Sequence, residues 1–112
     1  MSTRRETVQY ILEQLEPLDV KARAMFGEFC LWCDEKPVAL VCDETLFLKP
    51  TQASEGRGMD EAEAYRGSRL YRVVGVDLIE DPERLRTLIQ ATADALPMPK
   101  PKRPRTQRPQ DQ

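Results

Sequence analysis

Near the start of the chain Val8, Ile11, Leu12 and Leu15 recur at the i, i+3, i+4, i+7 spacing that lines one face of a helix. Thr3 and Glu6 stand at capping-box spacing ahead of this stripe, so each side chain is expected to satisfy an amide of the first turn. Pro17 closes the element, because the residue before a proline is pushed out of helical geometry. From Glu28 to Lys49 the pattern changes to short apolar runs, Phe29–Cys33, Val38–Cys42 and Leu46–Leu48, all rich in strand formers. Asp34-Glu35-Lys36-Pro37 and Asp43-Glu44-Thr45 separate them as polar turns, short enough to make the strands antiparallel neighbours. The middle run is apolar throughout, which predicts a central strand covered on both faces.

Between Pro50 and Gly67 the periodicity fades. Gly56, Gly58 and Gly67 punctuate a polar stretch in which Asp60 could cap one helical turn over Glu61 to Tyr65, so a mobile loop holding a short helix is expected. Arg69 to Val74 reads as a further strand. The final helix starts with Asp81 as cap, Pro82 at the first helical position and Glu83 in the first turn. Leu85, Leu88, Ile89 and Leu96 form its stripe, and Pro97 ends it. The predicted fold class is therefore α+β: two layers, with a three-stranded antiparallel meander plus a further strand, and the N- and C-terminal helices packed on one face.

Charge sharpens this picture. The 112 residues suit one domain and carry a net charge of −2. Residues 97–112 hold five basic residues, one acid and five prolines, so this segment is formally +4 while residues 1–96 are formally −6. Proline supplies no amide donor and fixes φ, so residues 97–112 are expected as an extended, mobile tail outside a folded domain spanning 1–96. Lys100, Lys102, Arg103 and Arg105 could give weak, salt-sensitive, sequence-blind contacts to nucleic acid, or simply solvate the terminus. The acidic body does not suit a nucleic-acid face of its own. No apolar run is long enough to span a bilayer, and the N-terminus has no signal-like apolar block, so a cytoplasmic, membrane-free protein is expected.

Candidate chemistry is sparse. With no histidine in the chain, Ser-His catalysis and His-bound zinc are excluded. Cys30 and Cys33 form a C-x-x-C, but within a strand they project to opposite faces and cannot share a metal or a disulfide. With Cys42 they are expected to be buried, free and inert. Asp34-Glu35 and Asp43-Glu44 fall in turns, and no calcium loop, phosphate loop or nucleophile elbow occurs. The reading is a non-enzyme without cofactor or metal. Trp32 lies on the strand face opposite Phe29 and Leu31, so Cys30, Trp32 and Val41 are expected to line an apolar surface. A homodimer, a partner protein or the 50–67 loop could cover it. The alternative reading is a small-ligand carrier or enzyme, in which Arg57, Arg66, Arg69 or Arg72 holds an anion beside that loop.

Arg23 to Leu31 contains Met25-Phe26-Gly27, where Gly27 marks unusual backbone angles or close packing and Met25 and Phe26 are expected to anchor the strand entry in the core. This stretch, with Val38 to Asp43 and Leu46 to Thr51, resembles the TfoX N-terminal domain of the TfoX/Sxy family. The family's Met-Phe-Gly signature falls on Met25, Phe26 and Gly27, and its Leu-x-Leu-Lys strand ending on Leu46, Leu48 and Lys49. The resemblance extends over roughly residues 5 to 96, including the strand near Arg72 and the Asp-capped last helix. It implies a secretion-chaperone-like two-layer fold and a kinship with regulators of natural competence, which act as transcriptional co-activators through protein contacts. Those proteins carry a second, helical domain, whereas here a basic tail follows the first. The signature residues are expected to be structural.

Overall fold

In the computed structural model, which describes residues 3–97, helix α1 (Arg5–Leu15) leads into strands β1 (Val20–Met25), β2 (Glu28–Cys33), β3 (Lys36–Cys42) and β4 (Thr45–Leu48). A short 3-10 turn (Gln52–Ser54) precedes β5 (Glu61–Glu63), β6 (Leu70–Val74), α2 (Val76–Ile79) and α3 (Pro82–Ala95). The strands form one antiparallel sheet in the order β1-β2-β3-β4-β6-β5. Lys100, Lys102, Arg103 and Arg105 lie outside the described residues.

Two-residue turns build the first four strands. Phe26 and Gly27 (φ 50° and 82°), Asp34 and Glu35 (54° and 62°), and Asp43 and Glu44 (51° and 64°) all have both central residues in the left-handed region. That geometry matches the twist of the strands it joins. Lys36 and Pro37, expected in a turn, therefore belong to β3. The meander also has one more strand than its apolar runs indicate. β1 alternates two cations with small side chains, so it lacks the apolar weight of its neighbours. At the other edge, residues 61–63 pair with β6 as a strand instead of forming the expected helical turn. Glu61 meets Arg72 there at 3.8 Å.

The start of α1 also departs from expectation. Its cap is Arg4, which makes no side-chain capping bond, and the Thr3 hydroxyl instead donates to Glu28 Oε1 at 2.6 Å. Glu44, from the β3–β4 turn, takes over the capping role: its carboxylate accepts from the Arg4 amide at 2.6 Å and from the Thr7 hydroxyl. These bonds, the Thr7 one foremost, hold the Glu44 pKa below the usual carboxylate value. The other end of the domain follows the sequence closely. Asp81 caps α3 by accepting from the Arg84 amide at 3.3 Å, with Pro82 in the first turn. Lys36 closes that helix, donating from Nζ to the carbonyls of Ala93 (2.7 Å) and Leu96 (3.0 Å), where the helix dipole is negative.

Both long helices pack on one face of the sheet. Val8, Ile11 and Leu15 of α1 and Leu85, Leu88, Ile89 and Ala93 of α3 bury themselves against Leu31, Cys33, Val38, Val41, Leu46 and Leu48. Val41 is thus a helix-side core residue, not part of the opposite surface on which it was expected. Its register partner is Phe29, and cross-strand partners share a face. The opposite face carries a smaller cluster of Cys30, Leu40, Cys42, Phe47 and Ala64, flanked by half-buried Trp32, Ala62, Tyr71 and Val73.

Candidate functional site

The second face ends in a cleft. Met25 and Phe26 from the β1–β2 turn, Glu28, Cys42 and Asp43 from the middle strands, and Ala64, Tyr65 and Arg66 beyond β5 line a recess of about 590 Å³. β1 and β5 are opposite edges of the sheet, yet the ends of both border this one recess. The sheet therefore curls, concave away from the helices, and on that face Trp32, Ala62, Tyr71 and Val73 pack over Cys30, Leu40 and Phe47.

The rim is apolar and open to solvent. Phe26 is 100% exposed and Tyr65 54%, with Met25 exposed beside them. The expectation that Met25 and Phe26 anchor the core is corrected: the two-residue turn throws Phe26 outward at its tip. A bulky residue at φ 50° is in a conformation that favours glycine or asparagine and costs roughly 1–2 kcal/mol. The position thus combines an unfavourable backbone with a fully hydrated aromatic ring. Such a residue does nothing for the fold that a smaller one would not do better, which directs attention to contacts outside the chain. Gly27 is the half of the pair that the turn requires.

The remaining candidates are dispersed. Leu46 and Leu48 are fully buried on the helix side, and half-buried Lys49 closes β4, its amide donating to the Val38 carbonyl at 2.9 Å. Trp32 lies on the concave face, its ring under the Arg23 guanidinium at 5.3 Å, with the indole N–H buried and without a partner among the described residues. Of the four arginines suggested for anion binding, only Arg66 lines the cleft. Arg57 donates to the Ala53 carbonyl at 3.0 Å and Arg72 to the Ser54 hydroxyl at 3.0 Å, so both are committed to tethering the 50–67 segment. Cys30 and Cys33 do project to opposite faces, one in each cluster. All three thiols are free, and burial raises their pKa values, that of Cys42 to about 11. At neutral pH they are protonated and poorly nucleophilic. Tyr71, beside Cys30 and Cys42, is likewise pushed up, mainly by burial. Among the described residues no cluster of His, Cys, Asp or Glu could hold a metal ion, and no helix is long and apolar enough to cross a membrane.

The fold and cleft define a small α+β domain with one covered and one curled, open sheet face. The TfoX N-terminal domain model matches residues 11–96, and the chain belongs to that family. It is also similar to a protein of Spirochaeta aurantia described as an uncharacterized 12.7 kDa protein in the trpE 5′ region. The two are 38% identical over 114 aligned positions, which cover 97% of this chain and 96% of the relative.

Proposed function

We propose that this protein is a non-enzymatic regulatory module that binds another protein through the concave cleft. The observation that carries the reading is Phe26, fully exposed and held in a left-handed turn beside an apolar recess. Aromatic anchors of this kind dominate protein–protein interfaces. Family membership supports a regulatory role, and a component of the transcription machinery is the partner class that the TfoX resemblance implies.

The test is affinity capture from native lysate, with bound proteins identified by mass spectrometry, using the intact chain, Phe26→Asn, and a chain ending at Pro97. The intact and shortened chains retain the same partner and Phe26→Asn loses it. Capture that survives Phe26→Asn contradicts the reading, and capture lost only on shortening assigns binding to the basic tail. A metabolite that raises Tm for the intact protein but not for Arg66→Ala, with no protein captured, would replace this reading with that of a ligand carrier.

A further inference from the structure

β1 is an edge strand whose outer side is unpaired among the described residues. In a hairpin with a two-residue turn the residues flanking the turn exchange hydrogen bonds, and the pairs then alternate. The register sets Met25 opposite Glu28, Arg23 opposite Cys30 and Lys21 opposite Trp32 as bonded pairs. Ala22 and Ala24 therefore turn their N–H and C=O groups outward, and no loop or side chain among the described residues takes them up. Beside this edge, between β1 and α1, runs a groove of about 700 Å³ lined by Val8, Leu12, Val20, Ala22 and Phe29 together with the polar Arg5, Glu6, Gln9 and Lys21. On the other face of the strand stand Lys21 and Arg23, both exposed.

The geometry points to strand addition at this edge: an extended acidic segment of another protein pairs with Ala22 and Ala24. Its apolar side chains enter the groove along α1, and its alternating carboxylates lie beside Lys21 and Arg23. Main-chain bonds supply affinity in this mode and alternate side chains supply specificity. Charge selects the occupant. A second copy paired antiparallel through both alanines would set Arg23 against Arg23, or Lys21 against Arg23, and facing like charges destabilise a strand pair. Residues 97–112 are themselves basic, and their five prolines offer no N–H to an edge.

The proposal is independent of the cleft, because the edge groups of β1 point away from the sheet and Phe26 is not among the groove residues. It is tested by titrating the full-length ¹⁵N-labelled protein with acetyl-Glu-Val-Glu-Val-Glu-Val-amide, and with the same peptide carrying lysine for glutamate. The acidic peptide slows amide exchange at Ala22 and Ala24 while leaving Arg23, already bonded to β2, unchanged. The basic peptide has no such effect. Ala22→Pro, tolerated on an edge strand, replaces an outward donor by a ring methylene and weakens binding at least about tenfold, the loss of one hydrogen bond. Lys21→Glu with Arg23→Glu, which leaves the backbone intact, inverts the preference toward the basic peptide. The proposal is overturned by equal response to both peptides, by shifts confined to Phe26 and Tyr65, or by no protection at Ala22 and Ala24 with acidic peptide in excess.

Discussion

Leu31 and Trp32 are neighbours on β2, and they belong to two different economies. Leu31 is fully buried beneath two helices, while Trp32 is half-buried on a face that, among the described residues, has no helical layer and no partner for its indole N–H. The helix-side face gathers fifteen buried residues into one cluster and the concave face gathers five. Because side chains alternate along a strand, the same strands serve both faces at once. One face supplies the cohesion of the domain. The other is left partly open, and its apolar groups at the rim are free to meet something else. Strand parity assigns neighbouring residues to a covered and a partly open face, so neighbouring substitutions should have unlike consequences.

That separation can be broken by mutation. Leu31→Ala removes a fully buried side chain between sheet and helices and should cost about 2–5 kcal/mol in chemical denaturation. A loss near zero would mean the helical layer is not what holds the sheet. Lys36→Met should cost about 1–3 kcal/mol, since both carbonyls at the end of α3 lose a charged donor. Unchanged stability would show that the helix end is satisfied by other means. Glu44→Gln should lower Tm modestly at neutral pH. The Glu44 pKa is depressed in the folded state, so its contribution is present above the unfolded value and disappears as pH falls through the folded one. The Tm difference between Glu44→Gln and the parent should therefore close in acid, and a gap that widens there contradicts the capping role. Tyr65→Ala, at the cleft rim, should leave stability within about 0.5 kcal/mol while weakening partner capture. A stability loss comparable to that of Leu31→Ala would erase the distinction between the faces.

Much of the helix-side architecture is legible from periodicity. The stripe Val8, Ile11, Leu15 and the Asp81-Pro82 start with Leu85, Leu88 and Ile89 are local signals, and the core uses them as written. What periodicity misses depends on partners distant in the chain. Glu44 caps a helix forty residues before it, a bond that Thr3 and Glu6 appeared positioned to make themselves. β1 is hidden because Lys21, Arg23 and two alanines give its alternation little apolar contrast. Phe26-Gly27 flanked by that alternation is the available hairpin signal, and the turn it makes stands at the cleft rim. The face of Val41 depends on register, which the pairing with Phe29 sets. The cleft itself arises from curvature that brings opposite sheet edges to one recess, and no segment of the sequence carries that information alone.

Phe26 is held at the rim in a backbone conformation that works against the fold. Equilibrium denaturation of Phe26→Asn beside the parent protein tests it most directly. Asparagine followed by glycine is the favoured pair for a turn with both central residues in the left-handed region, and the exposed ring has no packing to lose. Phe26→Asn should therefore be more stable than the parent by about 1 kcal/mol. A variant less stable than the parent would show that Phe26 is part of the core after all, and would remove the observation on which the binding surface rests.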